Sequence, residues 1–236
     1  ESALGTWTRL DPHPVIFLFG KERGVVRTCE AFGCIPMPRI ECNEYGTPIV
    51  GDAFMQMNRI SAPGDVLVYI NCDINVLQDF ADTLVDVARR FDQFLMVGQR
   101  WDVDITFPIF FDNPKWEYKL RSFVASNGQI HGVGAIDYFA FRTGDLYSDV
   151  PPFAIGRSAW DNWLIMHALQ RGVPVIDASE SATVIHHDKG SRLEIMTDER
   201  TAEKQRNRVL YDADQVPGSF KGTTNEAGWM TTPDGE

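Results

Sequence analysis

The chain has 236 residues, 44% apolar and 23% charged. It is long enough to bury the core of one large domain, and too apolar for disorder, a collagen-like chain or a small disulfide scaffold. With 22 basic against 33 acidic residues, a net charge of −11, it is ill suited to generic binding of nucleic acid or anionic membrane. No apolar run approaches the roughly 18 residues of a membrane span, and no signal peptide is visible. The start at Glu1 rather than Met reads as a trimmed or excised N-terminus. Cys29, Cys34, Cys42 and Cys72 make no CxxC pair, so reduced thiols in a cytoplasmic protein are expected rather than a zinc site.

Residues 14–19 (PVIFLF) form a short continuous apolar run, the pattern of a buried parallel strand, and end at Gly20. A helix is expected over 22–33 and a second strand over 35–40, weakened by two prolines. Thr47 and Pro48 read as an N-cap and first helical residue. Ile49, Val50, Ala53, Phe54, Met57 and Ile60 then recur at helical spacing up to the stop at Ala62-Pro63-Gly64. VLVYI (66–70) is the next buried strand. Leu77, Phe80, Ala81, Leu84, Val85, Ala88 and Phe91 make the apolar stripe of a helix, and FLMV (94–97) is a further strand. Residues 100–134 carry many aromatics and no clear period. A strand is expected over 136–142, a helix over 157–172, short strands over 173–176 and 183–187, and a polar helix over 198–210. The Gly-, Thr- and Pro-rich stretch 211–236 shows no pattern that demands structure.

The alternation of strands and helices implies right-handed crossovers and a mostly parallel central sheet with helices on both faces. In such sheets ligands bind outside the carboxyl ends of the strands, here Gly20, 71–75 and 99–104. The sequence has no GxxxxGK[ST] loop, no GxGxxG after the first strand and no GxSxG elbow. His131-Gly132-Val133-Gly134 comes too late and lacks the third glycine.

Asn71-Cys72-Asp73-Ile74-Asn75, directly after VLVYI, is the strongest signal. Alternation along a strand end places Asn71, Asp73 and Asn75 on one side, and their oxygens suit Mg2+ or Mn2+ arriving with a diphosphate. The competing reading is a polar turn in which Asp73 or Asn75 caps the next helix. Asp102-Val103-Asp104, preceded by Arg100, reads as metal binding or as a phosphate or sugar grip, or as a surface ion pair, favoured for Asp104. In Trp160-Asp161-Asn162-Trp163, Asp161 is either the far end of a capping box begun by Ser158 or a base or hydroxyl ligand. Trp163 reads as core and Trp160 as the more open ring, able to stack on a sugar. His186 and His187 point to opposite faces of a strand, so at most one joins a given metal site. Asp137, in the apolar run 132–141, binds sugar hydroxyls or pairs with Arg142 or Arg157.

Taken together, VLVYINCDIN, GQRWDVD, GAIDYFAF, FAIGRSAWDNWLI and TVIHHD, in this order within residues 14–190, resemble the GT-A type of nucleotide-sugar glycosyltransferase. The likeness is to the glycosyltransferase-like domains of bacterial and large algal virus multidomain glycan-building proteins. It implies an α/β, GT-A (Rossmann-like) single domain over 1–190. Its nucleotide-binding half is expected over about 14–104 and its acceptor and catalytic half over about 105–190, with a C-terminal helix and irregular tail over 191–236. It further implies Mn2+ or Mg2+ as cofactor, a nucleotide-diphospho-sugar donor, a glycan acceptor and a role in polysaccharide biosynthesis.

Position by position, Asp73 resembles the metal-binding aspartate of the family's Asp-x-Asp motif, with Asn71 a departure at its first position. His187, or His186 beside it, resembles the late metal-ligand histidine. Asp161 resembles the acidic residue that acts as base in inverting members, and Phe19 and Gly20 match the strand end that receives the nucleotide. Asn43, Asn71, Arg100, Asp137 and Trp160 complete the residues expected to contact the donor. Sugar-nucleotidyltransferases resemble the chain less, because FGKERG departs from their Gly-rich loop. A non-catalytic nucleotide- or carbohydrate-binding module is kept open by Asn71.

Overall fold

In the computed structural model, which describes residues 2–187, 197–214 and 221–233, β-branched and aromatic runs form strands that helices cover with their apolar stripes. The elements in chain order are α1 (Ser2–Trp7), β1 (Phe17–Phe19), α2 (Val25–Phe32), β2 (Ile35–Met37), α3 (Val50–Ile60), β3 (Val66–Ile70), β4 (Ile74–Val76), α4 (Gln78–Arg90) and β5 (Leu95–Val97). There follow β6 (Trp101–Val103), α5 (Trp116–Asn127), β7 (Gln129–Ile130), β8 (Tyr138–Arg142), α6 (Trp160–Gln170), β9 (Val175–Asp177), β10 (Val184–His187), α7 (Asp198–Asp214) and β11 (Trp229–Met230). The largest sheet has the order β11-β9-β5-β8-β3, a second has β4-β10-β6-β7, and β1 and β2 form a separate parallel ladder.

The chain is α/β, but its sheets are mixed rather than mostly parallel. β5 and β11 run parallel to β9, while β8 lies antiparallel between β3 and β5. In the second sheet β10 is parallel to β6, and β4 and β7 are antiparallel to their neighbours. Residues 138–141 are all buried, so β8 reads like a parallel strand. Residue pattern reports burial and is silent on direction.

Strand alternation divides the core into two layers. Leu95, Val97, Phe139, Phe141 and Val175 face a cluster completed by Val50 and Phe54 of α3, by Trp160, Trp163 and Leu164 of α6, and by Tyr211 of α7. Met96, Tyr138, Ala140 and Ile176 face the other way, onto Ala3 and Leu4 of α1, Cys29 of α2, and Phe80 and Val87 of α4. Helices on both faces are therefore observed as expected. A third cluster (Leu77, Val103, Leu120, Val124, Ile185) seats α5 on the second sheet.

Several boundaries differ from the sequence reading for local reasons. α2 begins at Val25 because Gly24 takes a left-handed conformation (φ 106°). α3 begins at Val50, without a Thr47 cap, because Pro48 and Ile49 bridge to Cys42 and Ala154 in extended conformation. α5 escapes the periodicity test because only Leu120 and Val124 of its residues are buried. In the 211–236 stretch, α7 continues to Asp214, a capped 3₁₀ turn forms at Thr224–Glu226, and β11 adds to the edge of the largest sheet. Among the described residues no helix is long and apolar enough to cross a membrane.

Trp163 is 1% exposed and stacks on His167 with ring centroids 4.4 Å apart, in agreement with its reading as core. Trp163→Ala should lower unfolding free energy by about 3–5 kcal/mol, measurable by urea denaturation; a loss below about 1 kcal/mol would contradict this packing.

Candidate functional site

β3 ends at Ile70, and the chain turns through 71–73 before β4, closed by the Ile74 N–H donating to the Asn71 carbonyl (3.1 Å). The turn breaks the alternation, so Asn71, Asp73 and Asn75 do not share a face. Asn75 is 0% exposed in β4, with neither amide atom hydrogen-bonded. Neither Asp73 nor Asn75 caps the following helix, whose N-cap is Leu77. Asn71 is tied to Asp137: its Nδ2 donates to Asp137 Oδ1 (2.6 Å) and its N–H to the Asp137 carbonyl (3.0 Å). Asp73 projects outward, its side chain 60% exposed.

Across this turn lies a relay of charged side chains. Asp102, on β6, accepts from Arg100 Nε (2.9 Å), is bonded by His131 Nδ1, and lies 3.1 Å from His186 Nδ1. Arg100 also pairs with Asp137. Asp137 therefore finds its cation in Arg100, not in Arg142 or Arg157. Arg142 donates to the Gly64 and Ala88 carbonyls, and Arg157 pairs with Glu203. Arg100, matched by two carboxylates, has its charge engaged within the chain. His186 Nε2 stands 3.6 Å from Asp73 Oδ2.

His187, next on β10, faces elsewhere: its Nδ1 accepts from the Ile105 N–H (3.0 Å) and lies 4.0 Å from Asp104. The histidine brought to Asp73 is thus His186, not His187. Adjacent strand residues take opposite faces, and the parallel pairing of His186 with Asp102 decides which. Asp188 lies outside the described residues.

The electrostatics follow from these contacts. The His186 imidazole 3.6 Å away holds Asp73 below the ordinary carboxylate range, and Asp73 raises His186 in return. Burial pushes Asp102 up, but its bonds from His131 and Arg100 outweigh this and leave it low. Tyr69 donates to Asn71 Oδ1 (3.3 Å). Burial, with Cys72, Asp137, Asp73 and Asp161 around it, pushes its phenol well above the ordinary range. Tyr69 is thereby the common neighbour of these carboxylates, a role that its place in an apolar strand run gave no reason to expect.

Asp161 arrives from the opposite wall. α6 starts after Ala159, the only non-glycine with a positive φ (88°) among the described residues; this conformation costs an L-residue about 1–2 kcal/mol. No side chain caps α6, so the Ser158–Asp161 capping box is not formed and does not account for Asp161. Asp161 is half-buried, and its Oδ1 is enclosed without a hydrogen-bond partner. Burial raises its pKa from 3.8 to about 6, with Asp137 adding to the effect and backbone N–H groups of Asn162, Asp161 and Ala159 opposing it. Trp160 is 5% exposed and packs on Tyr69 and Phe139. It shapes the wall from beneath rather than standing open to stack on a sugar.

Other expected donor residues lie in other surroundings. Phe19 ends β1, and the Gly20 N–H donates to the Met37 carbonyl. Asn43 donates to Glu203 Oε1 (2.6 Å), and its Oδ1 accepts from the Tyr45 and Thr47 N–H groups, so its amide serves a loop. His131, on the loop after β7, was not legible as a site residue: no spacing links it to Asp102.

Among the described residues, no group of three or more His, Cys, Asp or Glu side chains is gathered tightly enough to hold a metal ion by itself. Asp73 and His186 nevertheless fit two ligands of a divalent cation whose remaining ligands come from a phosphate and water. With a cation bound, a neutral His186 that donates from Nδ1 to Asp102 would offer the Nε2 lone pair to it, the usual arrangement behind a metal-bound histidine. In comparisons with known proteins, no family model matches the chain, and neither a curated protein nor a solved structure is significantly similar to it.

The raised pKa of Asp161 has a stability consequence. The protonated acid is favoured in the folded state, so its contribution is full below pH 3.8 and is lost as pH rises through about 6. Asp161→Asn, neutral throughout, should therefore gain about 2–3 kcal/mol over the parent at pH 7.5, and about 2 kcal/mol of that advantage should vanish by pH 4.5. Urea denaturation of both proteins across this range checks it; a pH-independent difference would contradict a raised Asp161.

Proposed function

We propose that the chain is a metal-dependent glycosyltransferase that moves a sugar from a nucleotide-diphospho-sugar donor to a hydroxyl of a glycan acceptor. The observation that carries this reading is the Asp73–His186–Asp102 relay, with contacts of 3.6 and 3.1 Å: two cation ligands and a second carboxylate fixing the ring behind them. Among the described residues, four carboxylates (Asp73, Asp102, Asp137, Asp161) outnumber one permanent cation, Arg100. An anionic donor would be repelled by such a site unless a divalent ion came with it.

Asp73 and His186 would hold Mn2+ or Mg2+. When bound, the ion supplies positive charge to the departing diphosphate. Asp161 takes the proton of the acceptor hydroxyl. A pKa of about 6 leaves it ionised at neutral pH yet a stronger base than an ordinary aspartate. Asn71, Arg100 and Asp102 brace Asp137 and His186, and Trp160 with Tyr69 excludes water from beneath. A second reading, a binding module without turnover, draws on Asn71, whose amide is engaged by Asp137 rather than offered to a metal.

The readings separate experimentally. With Mn2+ present, nucleoside diphosphates and nucleotide-sugars should raise the melting temperature by mass action, and Asp73→Ala should abolish the metal-dependent part. Asp161→Asn should keep that binding and lower sugar transfer about 100- to 10,000-fold. Nucleotide affinity indifferent to Asp73→Ala would sink the metal assignment. Binding with no turnover in the parent would leave the module.

A further inference from the structure

α7 carries buried polar side chains that the proposed reaction does not use. Asn207 is 0% exposed, and its side-chain hydrogen bonds go to one loop. Its Oδ1 accepts from the Ala154 N–H (2.9 Å), and its Nδ2 donates to the carbonyls of Ala154 (3.1 Å) and Ser158 (3.2 Å). One turn earlier, Glu203, 1% exposed, accepts from Arg157 Nε (2.6 Å) and Asn43 Nδ2 (2.6 Å). Thus α7 grips residues 154–158 by main chain and side chain together. The next residue, Ala159, is held at φ 88° and is itself buried. An alanine stays in this region only where the surroundings over-determine it. The Nδ2 bond to Ser158 is the contact that reaches closest to it.

Resting on the transferase reading for its catalytic meaning, we propose that Asn207 is the positioning residue for Asp161. By fixing the Ala154 and Ser158 backbone, it holds Ala159 left-handed and so sets the direction in which α6 starts and presents the Asp161 carboxyl. The enclosed, unpartnered Oδ1 of Asp161 is what this geometry maintains. A carboxyl free to turn would find water or an N–H group. The groups that face Asp161 are the Asp137 carboxylate, the Tyr69 hydroxyl and the backbone N–H groups of Ala159, Asp161 and Asn162, and none of them belongs to α7. Asn207 therefore acts through the loop alone.

The test is the titration of Asp161 in the intact chain, followed by NMR of 13C-labelled aspartate carboxyls and assigned with Asp161→Asn. Asn207→Ala removes the brace. Asn207→Ser is measured beside it, because a short polar residue leaves fewer buried groups unpaired and keeps the chain folded. In either variant the midpoint should fall from about 6 by about one pH unit or more, as the carboxyl turns to solvent. Adding Ala159→Gly, which takes positive φ without strain, should restore most of the shift and of the transfer rate. A folded Asn207 variant with the Asp161 midpoint unmoved, or one that Ala159→Gly does not rescue, would overturn the proposal. Because the titration needs no substrate, it reports on positioning even if nucleotide-sugar turnover is absent, and so distinguishes this failure from failure of the transferase reading.

Discussion

Asp102 is the charge on which the site is built. One carboxylate joins Arg100 from its own segment, His131 from the loop after β7, and His186 from β10. Arg100 carries the connection to Asp137, and Asp137 to Asn71 at the end of β3. Segments remote in sequence are thereby tied at one point between the two larger sheets. A half-buried carboxylate with three partners is costly to orphan, so the relay constrains the register of every strand that feeds it. Without it, His186 would have no fixed tautomer, and Asp73 would be an exposed carboxylate on a turn.

The two-sided core explains why this polar network can sit where it does. Phe139 and Phe141 fill one layer, and Tyr138 and Ala140 the other. The middle of the sheet, β5, β8 and β9, is thus dry on both faces, and polar residues collect where the strands end. Two polar groups enclosed in this interior have no hydrogen-bond partner among the described residues, the Asn75 amide and the Tyr138 hydroxyl. Asp161 differs from them in lying at the wall of the site with a raised pKa. Such perturbation by burial beside a second carboxylate is common among functional carboxylates.

The C-terminal segments belong to this architecture. Tyr211 of α7 lies in the main core, and its hydroxyl donates to the Lys221 carbonyl. Asn162, next to Asp161, donates to the Gly222 carbonyl (2.7 Å). Gly222 has φ 96°, and a side chain there would meet the Asn162 backbone at 2.1 Å. The Thr224 N–H donates to the Val133 carbonyl, on the loop that leads to Asp137. Both walls of the site are therefore braced from residues beyond 200, a stretch whose composition carries little periodic signal.

The sequence by itself determined the most apolar elements, although VLVYI, read as a buried strand, is only partly buried. VLVYI, the Leu77–Phe91 stripe and FLMV are long or apolar enough for period and propensity to identify them. It also marked 71–75, 99–104, 161 and 186–187 as candidate positions, each beside a structural alternative, because carboxylates and histidines stand there at the ends of apolar strands or the start of a helix. Only the tertiary structure decided strand direction, since β8 is buried like a parallel strand yet runs antiparallel. It alone decided that His186 rather than His187 meets Asp73, since a period of two allows either face until β10 pairs with β6. It alone decided that Arg100 serves Asp137 and that Asn75 turns inward, because a three-residue turn resets the alternation. The role of Asn207 was out of reach for the same reason. Its hydrogen bonds join residues about fifty positions apart, and contacts of that range leave no local pattern in the sequence.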